Sequence, residues 1–312
     1  MKFGFLVAGR DDDGLGHVSR SLGLALSLAS MGHSVKVAGP LSKLALQKVI
    51  SAGVLCSRSP SWDVDAVVID AIELGDEFIP WMVGPQKKVL ISPRFMQPGL
   101  VDFIFSRVKT PTVNAVVRSG GEAFVDPMYA FSGMSMVGRV TPPAEKARTI
   151  GICISGAESY VDLNAVIHGV AAVDSVAQVV IVGDERCEYA DIRRINIRQI
   201  AKTTDLWAAF GLIDLLITGD GVTMFEGMAR GIPTLSIGRE GAIEKNRVFY
   251  DQNWCAFLSA SNLKSNAISK VVSDLGWAGR THHSLMGKDI RSFGNLMATQ
   301  IEEVVRHANG VK

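Results

Sequence analysis

Leu215-Leu216-Ile217-Thr218-Gly219-Asp220-Gly221-Val222-Thr223-Met224-Phe225-Glu226-Gly227-Met228-Ala229-Arg230-Gly231-Ile232-Pro233-Thr234 is an apolar run, a Gly-Asp-Gly turn, a short helical segment and a Gly-Ile-Pro step into a second apolar run. Strand, tight turn, helix, strand is the repeating unit of a parallel sheet with crossover helices. The glycines let the backbone turn sharply and come close to a ligand. A helix starting at 221–223 offers N–H groups without intrahelical acceptors and the positive end of its dipole, which suits phosphate oxygens. Gly219, Gly221, Val222 and Thr223 are therefore candidate diphosphate donors. Glu226 lies one turn further in, where a carboxylate can accept from two ribose hydroxyls. An exposed glutamate favoured by the dipole fits the same spacing, and both readings stand.

The pattern continues on either side. In the second half, strands are expected at Thr149–Ile154, Gln178–Val182, Asp214–Thr218 and Pro233–Ser236, with a shorter one at Ala256–Leu258. Helices fit Val161–Val173, Asp205–Leu212, Thr223–Arg230 and Glu240–Gln252. The first half has strands at Phe3–Ala8, Ser34–Ala38, Ala66–Ile69 and Lys88–Ile91, a weaker one at Phe103–Phe105, and a helix from Leu15 to Met31 that Gly32 ends. The Pro142-Pro143 pair makes Arg139–Lys146 the best linker, because consecutive prolines disfavour helix and cannot donate to a strand ladder. The expected organisation is two α/β domains, 1–140 and 148–283, and a terminal helix over 284–312, broken near Gly294, that crosses back to brace the first domain.

The first strand ends in Gly9-Arg10-Asp11-Asp12-Asp13-Gly14-Leu15-Gly16-His17-Val18-Ser19-Arg20. Gly14 and Gly16 make a turn at the carboxyl end of a strand, where open α/β sheets bind ligands. His17 follows that turn, and an imidazole suits proton transfer near neutral pH. It is a candidate for catalysis or substrate binding, with a structural role as the alternative. Arg20, one turn on, can hold a phosphate or pair with Asp11–Asp13, which also suit an N-cap or a solvated loop. A dinucleotide fingerprint fails here: position 19 is Ser where G-x-G-x-x-G needs glycine, and strand two ends in Ala38-Gly39-Pro40 without an acidic residue. That argues against a nicotinamide oxidoreductase.

The 312 residues are 47% hydrophobic and 20% charged, enough apolar material for two cores. Lys and Arg number 32 against 31 acidic residues, a balance that gives no electrostatic case for nucleic acid. The N-terminal apolar run is too short for a signal peptide, and no run approaches the ~18–20 residues that span a bilayer. The chain reads as cytoplasmic, with peripheral membrane contact left open. Cys56, Cys153, Cys187 and Cys255 form no C-x-x-C pair, so neither a disulfide nor a zinc site is expected. No metal and no cofactor are called for. His33, His168, His282 and His283 sit at expected helix ends or loops and receive no chemistry.

Gly14–Val37, read as GLGHVSRSLGLALSLASMGHSVKV, resembles the N-terminal signature of the UDP-sugar hydrolase of pseudaminic acid biosynthesis. TGDGVTMFEGMARGIPTLSI, from Thr218, resembles the nucleotide-binding signature that this hydrolase shares with the peptidoglycan N-acetylglucosaminyltransferase. Asp126-Pro127-Met128-Tyr129-Ala130 is similar to the family's Pro-x-Tyr-Ala, and Asn246 matches the first member of its Asn-Gln pair. The chain departs from the hydrolase in a shorter first loop, in Ile72 where a tyrosine is expected, and in Gly156-Ala157-Glu158-Ser159 at the second-domain loop. The resemblance implies the GT-B fold, two Rossmann-like domains with a cleft between them that takes a nucleotide sugar, without an obligatory metal. It implies His17 as base, Glu226 as ribose ligand, Gly221 to Thr223 as diphosphate donors and Asn246 at the substrate.

Three functions follow. The leading expectation is a glycosyltransferase that moves a sugar from a nucleotide-diphosphate donor, by resemblance UDP, to a sugar, lipid-linked or small-molecule acceptor in bacterial glycan or nonulosonic-acid-related biosynthesis. The second is a hydrolase in which His17 activates water. The third is a binding subunit without turnover, against which the presence of both His17 and Glu226 speaks.

Overall fold

The structure, a computed structural model, describes residues 1–11, 13, 15–57, 63–132, 146–154, 161–183, 192, 194–239, 241–274 and 293–310. It divides into two compact units, Met1–Ser135 with Arg291–Lys312, and Met136–Ile290. The expected linker falls, apart from Lys146, outside the described residues, as do Gly14, Cys187, the 156–159 loop and the His282-His283 pair.

In the first unit, strands β1 (Lys2–Val7), β2 (Ser34–Ala38), β3 (Leu55–Cys56), β4 (Ala66–Asp70), β5 (Lys87–Leu90), β6 (Phe103–Ser106) and β7 (Glu122–Val125) form one sheet in the order β3-β2-β1-β4-β5-β6-β7. Every pairing is parallel. All five residues of β4 are buried, as are five of six in β1. Such unbroken apolar runs mark strands covered on both faces by helices. Those helices are α1 (Gly16–Ser30), α2 (Lys43–Ser51) and α3 (Pro111–Arg118). Helix α1 buries Val18, Ser21, Leu22, Ala25 and Leu28, a stripe at helical spacing.

The second unit repeats the scheme with β8 (Thr149–Cys153), α4 (Leu163–Ala171), β9 (Gln178–Val182), β10 (Asn196–Ile200), α5 (Leu206–Phe210), β11 (Leu215–Thr218), α6 (Val222–Ala229), β12 (Thr234–Gly238), α7 (Ala242–Asp251), β13 (Ala256–Ser259) and α8 (Ser265–Ser273). Its sheet, again parallel throughout, has the order β10-β9-β8-β11-β12-β13. Helix α6 lies hard against it: a Cβ on Gly227 would stand 2.6 Å from Leu216 Cδ2 and 2.7 Å from Thr234 Oγ1. Any larger residue there would have to displace both side chains.

Helix α9 (Leu296–Ala308) belongs to the first unit, where Met297, Ala298, Ile301 and Val305 enter the core beside Phe3, Leu24 and Leu28. Two polar clasps add to this packing. The Tyr129 hydroxyl donates to Gln300, and His33 Nε2 lies 3.4 Å from Glu302 Oε1. The helical residues at 293–294 are separated from α9 by a turn at Asn295.

In both sheets the strand order reverses once, between β1 and β4 and between β8 and β11. Loops leaving the two strands at such a point diverge to opposite faces and open a crevice at the carboxyl ends. The register brings those ends level, with Val7 opposite Asp70 and Cys153 opposite Thr218.

Candidate functional site

At the first reversal point, β4 ends in Asp70, a carboxylate with no solvent exposure. Four donors converge on it. His17 Nδ1 donates to Oδ1 at 2.6 Å, and Arg20 Nη2 donates to the same oxygen. Arg20 Nε donates to Oδ2 at 2.9 Å and the Ser21 hydroxyl to Oδ2 at 3.0 Å. A carboxylate has about four lone-pair sites, so its accepting capacity is used in full. The three residues that supply these donors lie on the first turns of α1, which the register sets beside Asp70. Burial alone would push the Asp70 carboxyl up. The Arg20 guanidinium, and then His17, outweigh burial and hold the group well below the usual carboxylate range.

This bond decides the tautomer of His17. A carboxylate can only accept, so Nδ1 carries the hydrogen and the neutral ring keeps its lone pair on Nε2. Arg20 Nη2 also lies 3.5 Å from Nδ1. A protonated Nδ1 cannot accept, so that contact is the approach of a cation to the ring rather than a second hydrogen bond. The His17 side chain keeps 18% of its surface exposed, so the ring is reachable while its anchor is not.

At the second reversal point, β11 runs through Gly219-Asp220 into α6. Gly221 is the helix N-cap, in extended conformation with no side-chain cap, and a Cβ placed on it meets no described atom within 4 Å. Val222 and Thr223 are the first residues of α6, so their N–H groups lie ahead of the intrahelical ladder, at the carboxyl end of the sheet. Beneath, the Thr218 hydroxyl donates to the Cys153 carbonyl at 2.8 Å and ties β11 to β8. Glu226 is partly buried and acts on two nearby groups that titrate. Its charge reaches Arg230, whose guanidinium lies 4.4 Å over the Trp207 ring and whose pKa falls because burial outweighs the pull of Glu226 and Asp205. It also reaches Cys153, whose thiol is pushed up to about 12 by burial first and Glu226 second. Cys153 is thus a neutral thiol at physiological pH, not a nucleophile.

Most expected site residues fall at these two points. Gly16 is the first residue of α1, His17 faces Asp70, and Gly219, Gly221, Val222, Thr223 and Glu226 build the second point. Two residues take other places. Arg20 turns its fork to Asp70, and Asp13 accepts from the Arg10 backbone N–H at 3.1 Å. Asn246 is fully buried and donates from Nδ2 to the Asp220 carbonyl at 3.5 Å. That bond braces the Gly-Asp-Gly loop, while Asn246 Oδ1 is buried with no hydrogen-bond partner among the described residues. Asp70, Ser21 and Trp207 are the residues that sequence reasoning did not single out. A carboxylate closing the buried run Ala66-Val67-Val68-Ile69 was a readable signal for Asp70, since a lone charge in such a strand needs partners.

Among the described residues no cluster of three His, Cys, Asp or Glu is placed to hold a metal ion, and no described helix is long and apolar enough to cross a membrane.

Two doubly wound parallel sheets, each with a single reversal of strand order, make this a protein of the GT-B fold. It is similar to spinosyn rhamnosyltransferase SpnG complexed with thymidine diphosphate, at 12% identity and a TM-score of 0.59 over 97% of this chain and 100% of that one. MurG from Acinetobacter baumannii gives 12% and 0.59 over 98% and 99%. A putative UDP-N-acetylglucosamine 2-epimerase from Listeria monocytogenes gives 11% and 0.64 over 100% and 97%. At these identities the likeness is one of fold. No protein-family model and no curated protein matches the sequence.

Proposed function

We propose that the protein is a cytoplasmic glycosyltransferase that moves a sugar from a pyrimidine nucleoside diphosphate, UDP in the first instance, to an acceptor hydroxyl in bacterial glycan or nonulosonic-acid-related biosynthesis. The observation that carries this reading is the 2.6 Å bond from His17 to buried Asp70, which prepares Nε2 to take a proton. The fold alone would not suffice, since it serves an epimerase as well as transferases. SpnG, structurally similar, has been solved with a pyrimidine diphosphate, which supports a donor of that class.

In this mechanism His17 Nε2 removes the acceptor hydroxyl proton as the oxygen bonds to the anomeric carbon. The bond from that carbon to the diphosphate oxygen breaks, and the leaving group carries away the electron pair. Its growing charge falls on the N–H groups of Val222 and Thr223 and the α6 dipole, fixed donors that need no reorganisation. Glu226 accepts from the ribose hydroxyls, with Arg230 limiting its freedom.

The test is to incubate the protein with a panel of UDP- and dTDP-sugars and no acceptor. Slow turnover of one donor, raised by adding extracted bacterial glycan or lipid-linked sugars, is the expected result. Rapid, complete conversion to free sugar and nucleoside diphosphate would replace the transferase with a hydrolase in which water is the acceptor.

Glu226→Ala tests the nucleotide half separately. Losing hydrogen bonds to a charged acceptor costs about 1.5–3 kcal/mol, so UDP affinity should fall about tenfold to hundredfold by calorimetry. An unchanged affinity would remove Glu226 from the site.

A further inference from the structure

We propose that Arg20 is a positioning residue that keeps His17 in its neutral, proton-accepting form by sharing Asp70 with it. A buried carboxylate whose only partner was His17 would favour the charged form of the ring, at the expense of the free base. Here the same two oxygens are gripped by a guanidinium through Nε and Nη2, and the cation also approaches Nδ1 to 3.5 Å. The imidazole therefore faces a carboxylate and a guanidinium whose charges cancel. The hydrogen bond still fixes the tautomer, but the charge that would favour imidazolium is offset. Both partners are well placed for this: Asp70 is fully buried and the Arg20 side chain keeps only 14% of its surface exposed, so neither is strongly screened by water. Arg20 is on α1 with His17, and Asp70 is on β4. In the loop leading to α1, Arg10 and Asp13 pair with each other, backbone and side chain, at 3.1 and 3.8 Å. Ser21, the remaining donor to Asp70, carries no charge.

The catalytic meaning of this arrangement rests on the proposed transfer reaction, but the charge balance does not, and the two can be tested apart. Protein labelled with 13C-histidine is titrated by NMR, with the His17 Cε1–H signal assigned by its loss in His17→Gln. In Arg20→Gln the pH at which the ring takes up its proton should rise by about one unit or more relative to the parent, as expected for an uncompensated opposite charge within hydrogen-bond range. Arg20→Lys, which keeps a cation, should return most of the way. The double variant Asp70→Asn/Arg20→Gln removes both charges and leaves no lone buried ion, so it tests the same claim should the single variant not fold. Its midpoint should stay within about half a unit of the parent. A fall of one unit or more in the double variant, or no rise in a folded Arg20→Gln, would overturn the assignment. Where a donor turns over, the acid limb of kcat/KM should move upward in Arg20→Gln by the same interval as the ring signal. A uniform loss of rate without that movement would mark Arg20 as merely structural.

Discussion

His17→Ala is expected to lower turnover by about a hundredfold or more while leaving UDP affinity nearly unchanged. General base catalysis by a positioned imidazole contributes about 10²–10⁴-fold, and the variant forfeits it. The nucleotide is assigned to α6 and Glu226, in the second unit, whereas His17 stands on α1 in the first. A substitution there should leave the nucleotide's contacts as they are, so the loss belongs in kcat and not in the binding constant. Stability should change little, because the ring is partly exposed and the alanine leaves Arg20 and Ser21 still bound to Asp70. The measurement is steady-state kinetics beside UDP calorimetry on the same preparation. A variant that binds UDP as the parent does and turns over within tenfold of it would put the base elsewhere.

The two assigned halves were unequally legible. Strands β1, β4, β8 and β11 announce themselves as apolar runs because parallel strands covered on both faces have no polar side. The same logic hides edge strands. β3 is two exposed residues, and β7 and β10 mix exposed with half-buried positions, so neither gives a run to find. Helix α3 carries a legible start: Thr110 caps Val113, and Pro111 occupies the first turn, where its missing N–H costs nothing. The Ala38-Gly39-Pro40 turn lacks the acidic residue of a dinucleotide site, and its glycine has a positive role of its own. With φ +141° and its would-be Cβ 2.0 Å from the Val7 carbonyl, Gly39 is the one residue that lets the chain pass β1 there.

For the site, local spacing found what lies within one loop and helix, which covers His17, Gly221 and Glu226. It could not find Asp70, which is 53 residues from His17 and reaches it only through the β1–β4 register. For a related reason it could not show that Arg20 meets Asp70 or that Asn246 meets the Asp220 carbonyl. Both have polar groups that a ligand would welcome; the fold engages the Arg20 fork with a buried carboxylate and one amide hydrogen of Asn246 with the Asp220 carbonyl, leaving Asn246 Oδ1 with no hydrogen-bond partner among the described residues. Sequence identifies which residues have suitable chemistry; long-range pairing decides which of them have it to spare.

Asp70→Asn should match the turnover loss of His17→Ala and, unlike it, cost stability. An asparagine offers one carbonyl and one amide N–H₂ in place of two accepting oxygens. If its carbonyl turns to Arg20, its N–H₂ faces Nδ1, which must then accept. The ring hydrogen moves to Nε2 and the base is lost. If the carbonyl turns to His17 instead, the N–H₂ meets the guanidinium, donor against donor. Either way the Arg20 cation loses its counter-charge in a site where it keeps little contact with water. Breaking a buried pair from one side costs about 3–5 kcal/mol, and the retained amide dipole should hold the loss near about 3 kcal/mol at neutral pH. The pH dependence has a definite sign. The Asp70 carboxyl is lower in the folded chain than in the unfolded one, so its contribution is complete above the unfolded value of about 4 and fades as pH falls below that toward the depressed native value. The stability gap between parent and Asp70→Asn in urea should therefore be constant from neutral pH down to about pH 5 and narrow below about pH 4. Because Asp70 acts through His17, the double variant His17→Ala/Asp70→Asn should turn over no more slowly than His17→Ala alone. Losses that multiply would mean Asp70 touches the reaction by a route that does not pass through the imidazole.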